Sequence, residues 1–209
     1  MLDPATPGAD DGAMDLSPDR ILLTDRVAVV TGAAQGIGEA AALALARFGA
    51  DVAICDTQGE LLEGVATAVE EQGRRCHRAE LDVRDGEGVE AFMASVEGAL
   101  GPIDILVNNA GGGFHSAFAD VSPKGESVLV AENFGTVTNC IRAGVPRMRD
   151  GGAIVNVTSV EAYHAAPGFG VYAAMKAAVE QFTKTLALEL GHRGIRVNCV
   201  APDMTPTPG

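Results

Sequence analysis

Tyr172 and Lys176 stand in the pattern Y-x-x-x-K, which on a helix places both side chains on one face, a turn apart. A phenol ordinarily loses its proton near pH ~10, and an ammonium beside it favours the phenolate. Such a pair can pass a proton to or from a carbonyl or hydroxyl oxygen; the alternative is an exposed Tyr and Lys on a solvated face. Ser159 lies just past the strand-like run Ile154–Val157, so its hydroxyl falls at the carboxyl end of a strand, near the start of the tyrosine helix. There it can donate a hydrogen bond to a substrate oxygen as charge develops, although Ser is also a common turn former. Asn108, Asn109, Ala110 and Gly111 end another strand with small and amide groups that can brace a neighbouring strand and approach a bound cofactor. Asn133 is an amide in mid-helix, a poor helix former with no obvious packing role.

A second constellation lies earlier. Thr31-Gly32-Ala33-Ala34-Gln35-Gly36-Ile37-Gly38 links a first apolar strand to a helix. Glycines there allow a tight turn and a close backbone approach to a diphosphate, whose charge the helix start favours; a Gly-rich turn that merely packs helix on strand is the plainer alternative. Asp56 ends the second strand, where a carboxylate can accept from both ribose hydroxyls of an adenosine and repel a 2′-phosphate. With no Lys or Arg in residues 56–59, and Gln35 in place of a basic residue before Gly36, the choice falls on NAD over NADP. Asp56 as a simple helix cap is the competing reading.

These residues need a scaffold that brings strand ends together. Short apolar strands are expected at Val27–Val30, Val52–Cys55, Cys76–Leu81, Ile103–Val107, Ile154–Val157 and Ile195–Val200. Helical patterns are expected at Gly36–Phe48, Glu60–Gln72, Gly86–Leu100, Pro123–Met148 and Tyr172–Gly191. The strands are apolar nearly throughout, as in parallel sheets covered on both faces, and the alternation predicts an α/β, doubly wound parallel sheet, a single-domain Rossmann fold. Ligands in such sheets sit beyond the carboxyl ends of the strands. Residues 1–23, with three Pro and five Asp, read as a flexible acidic tail, and residues 24–209 as one catalytic domain.

The net charge of −13, with only three Lys among twelve Arg, argues against nucleic acid and anionic membranes as partners, since both are bound through clustered cations. The longest apolar run, Ala40 to Ala46, falls far short of the ~18 residues a membrane span needs. The first twenty residues lack a basic patch followed by an apolar stretch, so the expected location is cytoplasmic. Cys55, Cys76, Cys140 and Cys199 are too scattered for a zinc site or disulfide framework, and read as small apolar filling. No metal is expected.

Jointly, T-G-x-x-x-G-x-G at Thr31–Gly38, N-N-A-G at Asn108–Gly111, Y-x-x-x-K at Tyr172–Lys176, and the order Asn, Ser, Tyr, Lys resemble the short-chain dehydrogenases/reductases of that family's common branch, from about Thr24 to the last residue. The resemblance implies an oxidoreductase in which Tyr172 is the general acid/base. Lys176 would lower its pKa and hold the nicotinamide ribose, Ser159 would orient the substrate carbonyl, and Asn133 would hold a water in a proton relay. It also implies that Asp82 and Val83 face the adenine, and that Asn109, Ala110 and Gly111 lie on the ribose side of the cofactor. A homo-oligomer, dimer or tetramer, is implied through the two longest helices.

Relatives carry Pro-Gly after the sixth strand and then a Thr near the nicotinamide and diphosphate; here Pro202 is followed by Asp203, with Thr207 at the Thr position. If that Gly serves a positive φ, Asp is a tolerable substitute. Relatives also continue into a lid, a further helix and a seventh strand, so the sequence reads as C-terminally incomplete. The expected pocket wall is Gly112 to His115, Glu161 to His164, and Phe169, which suits a medium-sized neutral alcohol or ketone such as a hydroxysteroid. The rival functions are a 3-oxoacyl thioester reductase and a non-catalytic dinucleotide-binding sensor.

Overall fold

A computed structural model describes residues 21–207. Strands β1 (Val27–Thr31), β2 (Asp51–Asp56), β3 (Cys76–Glu80), β4 (Ile103–Asn108), β5 (Met148–Val157) and β6 (Arg196–Val200) alternate with helices α1 (Gly36–Arg47), α2 (Gly59–Glu71), α3 (Gly86–Leu100), α4 (Pro123–Val130), α5 (Thr136–Gly144) and α6 (Gly170–Glu189). Among the described residues the strands form one sheet in the order β3-β2-β1-β4-β5-β6, with every pair parallel. This is the Rossmann-like α/β fold expected, with its switch point between β1 and β4.

Burial follows the two-sided sheet. Val27 and Val29 of β1 join a core with Phe92 and Met93 of α3, Ile141 of α5 and Val179 of α6. Ala28 and Val30, pointing the other way, pack with Ala42 and Ala46 of α1 and with Leu62 and Val69 of α2. Alternate residues of one apolar strand thus serve opposite faces, which is why the run shows no polar alternation. Cys55 and Cys140 lie in the first core, and the four cysteines are free thiols.

The structure redraws several boundaries. The helix expected over Pro123–Met148 is α4, a π turn at Ala131–Gly135 and α5, followed by a 3₁₀ turn at Val145–Arg147. Asn133 causes the break: its Nδ2 donates to the carbonyl of Leu129 at 3.0 Å and reaches Gly112 O at 2.7 Å, inserting a side chain into the helical ladder. Met148 opens β5, which is longer than the expected Ile154–Val157 and is irregular before Ala153. The tyrosine helix starts at Gly170 and ends at Glu189. Residues 1–20 of the expected tail lie outside the described residues. Leu23 is already docked, its amide donating to Phe48 O at 2.7 Å.

Candidate active site

A cavity of about 510 Å³ lies along the carboxyl ends of the strands. One end is the turn from β1 to α1. Gly32 and Gly36 have φ of 64° and 63°, conformations that Gly adopts without strain. No side chain caps α1 at Gln35, which leaves the first-turn amides open to an anion. Gly38 serves packing: a Cβ there would sit 2.0 Å from Gly32 O and 2.6 Å from Asn109 Nδ2. Of the expected cofactor residues it alone does not line the cavity; Gly32, Gln35, Gly36 and Ile37 do, as do Asp56, Asp82, Val83, Asn109, Ala110, Gly111, Pro202 and Thr207.

Asp56 closes β2 and fixes the turn. Its Oδ2 accepts from Ala34 N and its Oδ1 from Gln58 N, both at 3.0 Å. The cap residue of α2 is Gln58, so Asp56 is not merely a helix cap. Asn109 fastens β4 to β1, as its position suggests: Nδ2 donates to Thr31 O and Gly32 O, while the amides of Asn109 and Ala110 both donate to Thr31 Oγ1 at 3.1 Å. Beyond β3, Asp82 is held by Arg84 through paired guanidinium contacts, and Arg84 lines the cavity beside it. Arg84 is a site residue that no motif marks.

The other end holds Ser159, Tyr172 and Lys176, brought together by the end of β5 and the first turns of α6. Backbone bonds to the β6 end, Thr158 N to Val200 O and Val160 N to Pro202 O, position Ser159, whose hydroxyl contacts the Tyr172 phenol. Lys176 is buried, with Nζ donating to Val157 O at 3.0 Å and lying 5.5 Å from the Tyr172 ring centre. Asn133 is fully buried, and its Oδ1 has no donor. A Cβ on Gly111 would sit 3.1 Å from that Oδ1 and 3.2 Å from Lys176 Nζ, so both groups face the same small space, polar and suited to a bridging water.

Burial pulls the Lys176 pKa down to about 8, opposed by the charge of Glu132. The expected lowering of the Tyr172 pKa by Lys176 is not what the fold produces. Burial pushes the phenol up, the bond with Ser159 pulls it down, and the charge of Glu161 pushes it up again, with a net rise. The Lys176 ammonium is aimed at the Val157 carbonyl, and burial is the largest influence on the phenol. Glu132, to which the sequence reading gave no role, lines the cavity, and Glu161, expected in the pocket wall, accepts a hydrogen bond from Ser159.

The expected pocket wall is also rearranged. Gly112 lines the main cavity, but Phe114 and Phe169 line a separate small one. His115 packs edge-on against Phe169, which packs against Tyr172, while Tyr163 is exposed. Phe169 thus stays beside Tyr172, and Gly113 borders the same ring, where a Cβ would lie 3.0 Å away. Asp203 lines the cavity without a positive φ; the single described non-Gly residue with one is Asp25.

The short chain dehydrogenase family model matches residues 26–209. The chain belongs to the short-chain dehydrogenase family. An uncharacterized oxidoreductase of Mycobacterium tuberculosis is 38% identical over 187 residues, which is 88% of this chain and 71% of that protein. Among solved structures, carveol dehydrogenase from Mycobacterium avium in complex with NAD superposes with a TM-score of 0.83 at 34% identity, over 86% of this chain and 71% of that one. A short chain dehydrogenase from Burkholderia cenocepacia in complex with NADP gives 0.86 at 37% identity, over 89% and 77%. The chain is thus an oxidoreductase of a family that binds nicotinamide dinucleotides, and its neighbours hold both forms. The phosphate-loop glycines and the uncapped α1 fit such a group. No described helix is long and apolar enough to cross a membrane.

Proposed function

We propose that this short-chain dehydrogenase interconverts a secondary alcohol and a ketone with NAD, using Tyr172 as general acid/base. The observation that carries the reading is that Ser159, Tyr172 and Lys176 meet at one end of a single cavity whose other end is the phosphate turn and Asp56. When bound, the nicotinamide supplies or takes up the hydride. Gly32 to Ile37 would hold the diphosphate, Asp56 the adenosine ribose, and residues 82–83 the adenine side. The Tyr172 phenol gives its proton to a carbonyl oxygen in reduction and regains it from the alcohol in oxidation. Ser159 orients that oxygen, and Lys176 with Asn133 Oδ1 flanks the space through which a water passes the proton onward.

NAD over NADP is supported by the Asp56 carboxylate and by the absence of any Lys or Arg between Asp56 and Gln58. Arg84, the cation on the adenine side, is paired with Asp82. Neutral carbonyl compounds suit the site better than anions, because Glu132 and Asp203 line it. We further infer a cytoplasmic homo-oligomer. The test is NADH and NADPH binding followed by turnover across a panel of secondary alcohols and ketones. NADH-linked turnover that falls by about 10²-fold or more in Tyr172→Phe is the expected result. A preference for NADPH would remove the NAD assignment, and tight NADH binding without turnover would favour a dinucleotide sensor.

A further inference from the structure

Two asparagines occupy core positions near the carboxyl end of the sheet. Asn108 of β4 and Asn156 of β5 are register partners. Each follows by two residues an apolar side chain of the core shared with α5 and α6, Leu106 and Ile154, so all four point to the same face. Asn156 is fully buried, and Asn108 and Thr183 of α6 nearly so. Asn108 Nδ2 donates to Asn156 Oδ1, Asn156 Nδ2 to Thr183 Oγ1, and Thr183 Oγ1 to Val179 O, each at 2.8 Å. The Thr183 hydroxyl gives its single proton to the Val179 carbonyl, so toward Asn156 it can only accept. Asn156 must then turn its amide nitrogen to α6 and its oxygen to Asn108.

Asn108 Oδ1 ends this chain of bonds without a donor, and a buried polar group without a partner is destabilising. What the polar side chains add over apolar ones is direction: packed apolar faces can slide past one another, whereas a hydrogen bond holds its distance and angle. Thr183 follows Lys176 by about two turns, on the buried stripe of α6 that also holds Val179. Lys176 Nζ meets the carbonyl of Val157, the residue after Asn156, at 3.0 Å. Helix α6 is therefore tied to adjacent residues of β5 at two heights, one of them through Lys176. We propose that Asn156 and Thr183 are positioning residues: their hydrogen bond sets the axial register of α6 on β5, and with it the place of Lys176 and Tyr172 at the strand end. The proposal rests on the reading of that pair as the acid/base machinery. Asn108, Asn156 and Thr183 do not line the cavity, so they act through α6 and not on a ligand.

Thr183→Val keeps the shape and removes the hydroxyl, whereas Thr183→Ser keeps the hydroxyl. The chain has three Lys, of which Lys176 alone is buried. NMR of isotopically labelled lysine therefore reads its titration, at about 8 in the wild type, without any substrate. In Thr183→Val that midpoint is expected to rise by about one pH unit as the ammonium leaves its dry seat. Turnover number with NADH and the best ketone of the panel falls by about tenfold or more, since small misplacements slow proton transfer steeply. Binding of ADP, measured by calorimetry, is unchanged, because the phosphate turn and Asp56 lie at the other end of the cavity. In Thr183→Ser all three readouts stay at wild-type values. If circular dichroism shows Thr183→Val unfolded, Asn156→Leu combined with Thr183→Val removes both halves of the bond, and the same shifts are expected of it. A folded variant whose lysine midpoint stays in place, or moves while turnover holds, overturns the proposal. So does Thr183→Ser behaving like Thr183→Val. Turnover that survives Tyr172→Phe, or is absent with every ketone, would instead overturn the acid/base reading, and the lysine midpoint alone then decides the register.

Discussion

Replacing Lys176 with Met removes a buried ammonium, and the pH dependence of that change is set by the fold. Lys176 is 5% exposed, and its Nζ makes one hydrogen bond to protein, to Val157 O. Burial pulls its pKa from 10.5 down to about 8. Below about 8 the lysine is protonated in folded and unfolded chain alike, and the folded state bears the cost of a buried charge. Between about 8 and 10.5 the unfolded chain binds more protons, so stability rises with pH; above that range both forms are neutral. At about 1.4 kcal/mol for each pH unit, the whole span is worth about 3 kcal/mol. Burial of Cys55, Cys76 and Cys140 pushes those thiols above their ordinary 9.0, which lowers stability as pH rises past that value. These contributions cancel when wild type is compared with Lys176→Met. Urea unfolding of both proteins at about pH 7 and about pH 10 should show the gap moving in favour of wild type by about 2 to 3 kcal/mol. A gap that does not change with pH would refute the reasoning.

Two further substitutions test the scaffold. Asp104, 3% exposed, accepts from Val27 N at 2.9 Å and from Arg26 Nη1 at 2.8 Å. Asp104→Ala strands a buried amide at the start of β1 and should cost about 2 to 3 kcal/mol, read as a lower urea midpoint at unchanged slope. Gly38→Ala forces a Cβ to within 2.0 Å of Gly32 O, so α1 must move away from the phosphate turn. NADH affinity, measured by fluorescence titration, should fall by about tenfold, with about 1 to 3 kcal/mol of stability lost to overpacking; unchanged affinity would show that this packing does not shape the dinucleotide site.

The order of elements was legible because each strand is a short apolar run and each helix carries its own period, both local properties of the chain. The residues of the site were legible for a similar reason: Thr31–Gly38, Asn108–Gly111 and Tyr172–Lys176 are contiguous motifs, and a parallel sheet brings strand ends to one edge whatever the details. The helix break at residues 131–135 was not, since it depends on Asn133 bonding to Gly112, 21 residues earlier in the chain. Nor were Arg84 and Glu132, which are charged residues in stretches that read as ordinary solvated surface until the fold folds them over the cavity. The expected aromatic wall was legible only in part: Phe169 packs on Tyr172, whereas Phe114 and Tyr163 are turned out to solvent.

From its sequence alone this chain is a doubly wound sheet carrying a Ser, Tyr and Lys set beside a dinucleotide turn. Only the tertiary structure decided how those groups are charged. The ammonium of Lys176 sits one turn from Tyr172, and by spacing alone it should lower the phenol; in the fold the phenol is raised and the lysine depressed. Proton affinity follows from desolvation and from charges such as Glu161 and Glu132, which reach the site from separate elements, and no count of residues along the chain contains those distances.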